Sequence, residues 1–346
     1  IHDLRQGQIM GKSFQIPDYE LVIEIARGSY GQVWLARSVL GTWRAVKIVQ
    51  RSLFEDSRPY QRELNGIRHY EAISRRHEGL IDVLHVGRND EEGYFYYVME
   101  LADDQVVGQS VRSADYSART LQSDLNARES LPIEECAYIG GELADALHYL
   151  HAHGLVHRDI KPSNIVYVNG RPKLADVGLV AGSGVASGEV GTLGFLPSEG
   201  AGDWRGDLYA LGKVLYEAST GMDRNAFPDL PPTARGLSAR DPLMQLNRLL
   251  LRACSGDERE AFQDAASLAA ALRQLNAPSF FAGPFTWREK RLLVLAAALA
   301  FLLVASDALL VYLGWGRQQS EPVAVEKVVP AEGDSVRGKF ESNSGQ

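Results

Sequence analysis

His157-Arg158-Asp159-Ile160-Lys161-Pro162-Ser163-Asn164 brings an imidazole, a guanidinium, a carboxylate, an ammonium and an amide into one short segment. Pro162 lacks a backbone N–H and clashes with a preceding turn, so no helix runs through the segment. The helical pattern upstream stops at Gly154, which makes the segment a loop. Downstream, two short apolar runs, Ile165 to Val168 and Pro172 to Ala175, flank Asn169-Gly170. Asn-Gly between such runs is a strong hairpin signal. A hairpin returns its ends to one place, so Asn164 at its start is expected beside Asp176 just past its end. Two oxygen-bearing side chains set near Asp159 and Lys161 suit a hard cation and phosphate groups.

The rest of the chain is judged against that loop. At 346 residues there is room for two compact domains or one bilobal unit with appendages. A net charge of −8 gives a nucleic-acid partner no compositional support. Cys136 and Cys254 are too few for a disulfide framework and read as buried packing. No charged-then-apolar leader precedes Tyr19, so a cleaved signal peptide is not expected.

Residues 1–18 are polar and aperiodic and read as a loose leader. Strands are expected over Leu21 to Ile25, Gln32 to Ala36 and Arg44 to Val49. The turn between the first two holds Gly28, Ser29 and Gly31, and glycines there let backbone amides approach a phosphate closely. Lys47 lies on the third strand between apolar neighbours, facing water or a cleft. A helix over Pro59 to Arg76 carries Glu63, and strands are expected over Gly79 to Val86 and Tyr94 to Leu101. The polar pair Asp103-Asp104 marks a lobe boundary, and residues 103–130 read as a connection containing a short helix, Leu121 to Asn126.

Pro132 and Glu134-Glu135 have the composition of a helix start. The stripe Cys136, Ile139, Leu143, Leu147, Leu150 has helical spacing and reads as a core face presenting the loop at 157–164. Further helices are expected from Asp207 to about Thr220, over Pro242 to Cys254 and over Phe262 to Leu275. Between the loop and these helices lies a small-residue segment, Leu179 to Gly191, with Ser183 and Ser187, read as mobile.

These motifs, in this order, resemble those of eukaryotic-like serine/threonine protein kinases of the bacterial membrane-anchored type, from about Tyr19 to Leu275. The resemblance implies an α+β bilobal fold with a small β-rich N-lobe at 19–102 and a mainly helical C-lobe at 103–277. It implies ATP and Mg²⁺ as cofactors and protein serine or threonine hydroxyls as acceptors. On that resemblance Gly28, Ser29 and Gly31 belong to the phosphate-covering loop, with Val33 and Ala45 beside the nucleotide. Lys47 holds the α- and β-phosphates, with Glu63 as its ion-pair partner and Glu71 as the alternative. Met99 backs the adenine pocket, Glu100 and Ala102 offer backbone groups to the base, and Asn164 and Asp176 hold Mg²⁺. Asp159 orients the substrate hydroxyl and Lys161 neutralises the transferring phosphoryl group. Lys161 two residues after Asp159, and Thr192 in Gly191-Thr192, lean towards serine/threonine specificity.

The departures are Ala26 for the first loop glycine, Val177 between Asp176 and Gly178, and Pro197-Ser198-Glu199 for Ala-Pro-Glu. Ala261 stands where the arginine partner of Glu199 is expected, with Arg259 the nearest substitute. They motivate a rival expectation, a nucleotide-binding pseudokinase acting as a membrane signalling scaffold. After a linker at 278–291, residues 292–315 are apolar except for Asp307 and match the roughly 20 residues of one membrane crossing. Arg288, Lys290 and Arg291 flank its start, which places the kinase region in the cytoplasm, on a single-pass inner-membrane topology. Residues 316–346 then form an extracytoplasmic disordered tail. The partners expected are protein substrates and the membrane, with a homodimer left open.

Overall fold

The computed structural model describes residues 14–28, 31–111, 115–176, 194–195 and 203–276. The expected mobile segment, Ser29, Thr192, Glu199 and the whole of 277–346 lie outside them. Among the described residues no helix is long and apolar enough to cross a membrane.

The N-terminal half is one antiparallel sheet of five strands, β1 (Tyr19–Arg27), β2 (Gly31–Ser38), β3 (Trp43–Gln50), β4 (Val83–Asn89) and β5 (Tyr94–Met99), in the order β1-β2-β3-β5-β4. Helix α1 (Ser57–Ser74) packs on one face. It starts earlier than expected because Asp56 accepts the Arg58 N–H as a side-chain cap, which leaves Pro59 in the first turn. The other face is covered by the chain just ahead of β1. Ile16 is buried with Val46, Ile48, Tyr96 and Val98, Phe14 meets Tyr94 edge-on, and the Tyr94 hydroxyl donates to the Gln15 carbonyl at 2.9 Å. The last residues of the stretch read as a loose leader are therefore packed.

Gly79 to Asp82, expected to begin a strand, is not part of the sheet. Its backbone is used elsewhere: Leu174 N–H donates to the Gly79 carbonyl at 2.8 Å and Ile81 N–H to the Leu174 carbonyl at 3.0 Å. The acids at the lobe boundary are also not simply solvated. Asp104 is 3% exposed, and its carboxylate accepts the N–H groups of Val106, Val107 and Ser117.

The C-terminal half contains α2 (Leu121–Arg128), α3 (Ile133–Ala152), a two-stranded ribbon β6 (Ile165–Val168) and β7 (Arg171–Leu174), then α4 (Trp204–Thr220), α5 (Pro242–Ala253) and α6 (Ala265–Asn276). Cys136, Ile139, Leu143, Leu147 and Leu150 are all at most 2% exposed, so the stripe is the core face its spacing predicts. A side chain at Gly140 would stand 2.7 Å from Leu215 and 3.0 Å from Leu272, so its smallness lets α3, α4 and α6 close up. Cys136 is buried and Cys254 partly so; both are free thiols, and burial pushes each up to about 12. Asn169 and Gly170 at the ribbon's tip have φ of 52° and 76°, the left-handed pair that a two-residue hairpin turn demands.

Candidate active site

The loop after α3 is fixed from below by one carboxylate. Asp207, in the first turn of α4 and 1% exposed, accepts the His157 N–H at 2.9 Å and the Arg158 N–H at 2.8 Å. Its second oxygen also meets His151 Nε2 at 2.8 Å. Arg158 is held at φ 65°, a conformation that costs a non-glycine residue about 1 kcal/mol, and its bond to Asp207 stabilises it there. The sequence marked Asp207 only as a helix opener. Its partners lie 49 and 50 positions upstream, and no local pattern announces them.

Above that anchor the side chains converge. Lys161 Nζ donates to Asp159 Oδ2 at 2.7 Å, and Asn164 Nδ2 donates to the same oxygen at 2.9 Å and to the Asp159 carbonyl at 2.8 Å. The amide nitrogen of Asn164 is thus spent on Asp159, and what it can offer a cation is its carbonyl oxygen. Ala175 N–H donates to the Asn164 carbonyl at 2.9 Å, which sets Asp176 beside Asn164 as the hairpin requires. Asp176, itself at φ 53°, accepts a short hydrogen bond from Lys47 of β3.

The electrostatics follow from this pairing. Burial alone would push the Lys47 ammonium down, but Asp176 foremost, then Tyr97 and Glu63, hold it raised. For Asp176, removal from water pushes upward, and Lys47, His157 and Lys161 more than offset that, so its carboxyl stays below the usual range. Glu63 goes the other way: burial raises its carboxyl, and Lys47 opposes this only in part.

The expected ion pair between Lys47 and Glu63 is not formed. Among the described residues Glu63 has no cation within 4.0 Å; two carboxylates compete for one ammonium, and Asp176 is the nearer. Glu71 does not take its place: its ion pair is with Arg75 of the same turn region, at 3.0 Å.

Lys47, Asn164 and Asp176 line one cleft between the two halves. Its roof is Ile25, Ala26, Val33 and Ala45, its back Met99 to Ala102, and its floor Val166 and Ala175. Val33, Ala45, Met99, Glu100 and Ala102 thus all line this cleft. Ile25 and Val166 were missed, and neither strand alternates cleanly enough between buried and exposed positions to single them out. Tyr97, also missed, sets its ring centre 5.9 Å from Lys47 Nζ.

Gly28 and Gly31 bracket the turn ahead of the cleft, with Gly28 N–H donating to the Gly31 carbonyl at 2.9 Å. The two differ in why they are glycine. A side chain on Gly31 would lie 2.3 Å from the Ile48 carbonyl of β3, whereas one on Gly28 would meet only the Gly31 carbonyl, at an ordinary contact distance of 4.0 Å. Gly31 is required by strand packing, and only Gly28 is left for an approaching ligand to exploit.

One hard carbonyl oxygen and one ionised carboxylate side by side form a donor set that Mg²⁺ takes together with phosphate oxygens and water. The residues present fit that ion. Among the described residues no cluster of three or more His, Cys, Asp or Glu side chains forms a protein-only metal cage.

The protein kinase domain family matches residues 19–269, which covers both halves and the cleft. The chain belongs to the protein kinase family. Curated relatives include the serine/threonine-protein kinase AfsK of Streptomyces coelicolor, 28% identical over 217 residues, a match spanning 60% of this chain and 25% of AfsK. The DNA damage-responsive serine/threonine-protein kinase RqkA of Deinococcus radiodurans is 30% identical over 215 residues, 59% of this chain and 30% of RqkA. The chain therefore spans under a third of the length of these relatives. Among solved structures, the PknI kinase domain of Mycobacterium tuberculosis shares the fold, with a TM-score of 0.54, 24% identity, and coverage of 76% of this chain and 97% of that one.

Proposed function

We propose that this kinase-family chain is a membrane-anchored serine/threonine protein kinase that transfers the γ-phosphate of ATP to hydroxyls of proteins, its own included. The observation that carries the reading is that Asn164 bridges two sets of groups. It hydrogen-bonds Asp159 at 2.9 Å and lines the same cleft as Lys47 and Asp176. Transfer of this kind needs positioning and charge neutralisation more than covalent help.

In this reading the base sits between Ala45 and Val166 against the Met99 to Ala102 backbone, and Lys47 neutralises phosphate oxygens. The acceptor oxygen attacks the γ-phosphorus as its bond to the bridging oxygen breaks, releasing ADP. Asp159 takes the proton from the acceptor hydroxyl. Lys161, held against Asp159, faces the charge of the moving group. Asn164 and Asp176 would hold Mg²⁺, which when bound supplies Lewis-acid neutralisation of the phosphates. Lys161 two places after Asp159 supports serine/threonine specificity, and the family supports protein acceptors.

The membrane anchor rests on the sequence of 292–315 and its basic flank. Sedimentation of the full chain with membranes, and its release when 278–346 are removed, tests that part. Labelled ATP with Mg²⁺ and a generic basic protein tests the chemistry. Asp159→Asn is expected to lower the transfer rate about 10²- to 10⁴-fold with nucleotide binding kept. ATP binding by the wild-type chain without any transfer would instead favour the scaffold reading, which rests on Ala26, Val177 and the missing arginine partner of Glu199.

A further inference from the structure

Asn164 and Asp176 flank the open end of the β6–β7 ribbon, and two four-residue strands are too little to hold such groups still. Its turn and outer strand are gripped from outside. Asp103, 8% exposed, accepts the N–H groups of Asn169 at 2.9 Å and Gly170 at 2.7 Å. Lys173 on β7, also 8% exposed, donates a short hydrogen bond to Glu100 Oε1 and lies 3.9 Å from Asp82. The same Glu100 oxygen accepts the Asp82 N–H at 2.9 Å, and the Glu100 N–H donates to the Asp82 carbonyl at 3.0 Å.

A buried lysine three places before Asp176 is thus tied to the side chain of the residue whose backbone borders the base. Fold stability alone is a weak reason for it, because a buried ion pair is often replaceable by apolar side chains at no loss. Position is a better reason. We propose that Lys173 is a positioning residue which, through Glu100, fixes the spacing between the strand that seats the base and the ribbon that carries Asn164 and Asp176; Asp103 holds the turn of that ribbon. The proposal rests on the reading of the cleft as a nucleotide site.

Adenosine touches only the seat of the base, whereas MgATP spans both the seat and the ribbon. A variant without the clamp therefore loses the second and keeps the first. Calorimetric titration of the full chain with each ligand reads this directly, using Lys173→Met combined with Glu100→Gln so that no lone buried charge remains. MgATP binding is expected to weaken about tenfold and adenosine binding less than about twofold, with Lys173→Arg close to wild type. Equal losses for the two ligands, or unchanged MgATP binding, overturn the clamp. Should the double variant not fold, Asp103→Asn, which removes one of the two turn acceptors, is expected to show the same split and overturns the clamp if it does not. Wild-type chain that fails to bind MgATP overturns the nucleotide reading itself, an outcome distinct from wild-type binding with equal losses in the variant.

Discussion

Two carboxyl groups that interact with Lys47 pull the protein's pH response in opposite directions. Asp176 has a lowered carboxyl pKa, so it favours the folded state above its ordinary value of 3.8, and that contribution disappears as pH falls through the folded value. Glu63 is raised above 4.5, so the folded chain keeps a proton that the unfolded chain releases, and its contribution worsens as pH rises through the folded value. Glu63→Gln is accordingly expected to increase the urea midpoint at neutral pH, with the gain vanishing as pH falls below 4.5, while transfer falls about tenfold or more. Paired urea titrations across that range check both signs. Asp207→Ala leaves two buried N–H groups and a histidine without their acceptor and is expected to cost about 2–5 kcal/mol in denaturant unfolding. The contrast between these residues shows where sequence reading stops. Lys47, Asp159, Lys161, Asn164 and Asp176 were legible because their types and spacing are specific to the chemistry. Asp207 and Asp103 were not, because a carboxylate satisfied by distant backbone amides has the same local signature as a solvated one.

Elements were legible to the extent that one periodicity governed them. α3 carries a clean apolar stripe and begins within a residue of its expected start, Pro132 being the cap and Ile133 the first helical residue. The β6–β7 ribbon followed from Asn-Gly set between two short apolar runs. Gly79 to Asp82 failed as a strand because an apolar run does not say which neighbour its backbone will pair with, and here that neighbour is Leu174. The turn between β1 and β2 was read for its glycines as a ligand feature, whereas packing against β3 accounts for Gly31. The two positions are therefore expected to separate experimentally. Gly31→Ala must displace a backbone carbonyl of β3 and is expected to destabilise by about 1–3 kcal/mol. Gly28→Ala has room, and any effect on it is expected in nucleotide affinity with thermal stability unchanged. Thermal melts of the two variants, with and without MgATP, distinguish them.

For the whole molecule, the order of a β-rich half followed by a helical half was readable because each half has its own period of apolar residues. How the halves are joined was not, since the polar links across the boundary, among them Lys47 to Asp176, Lys173 to Glu100 and Ile81 to Leu174, join residues far apart in sequence, and one apolar core runs through both halves. A ligand that contacts both halves adds to those links. MgATP at about 100 times its dissociation constant is expected to add about 2.7 kcal/mol of stability. For a unit of this size that is a rise of about 5–10 °C in Tm. Chelation of the divalent ion is expected to remove most of that rise, and scanning calorimetry with and without EDTA measures it.

The chain ahead of β1 bears on how shortened versions of this protein should be cut. The family match starts at Tyr19, and a truncation made there would discard Phe14 and Ile16. What they shield is an apolar surface of Val46, Ile48, Tyr96 and Val98, left bare on the outside of the sheet. Such a piece would keep every catalytic group and still be expected to clump in solution, so a soluble fragment for assays should begin upstream of Phe14.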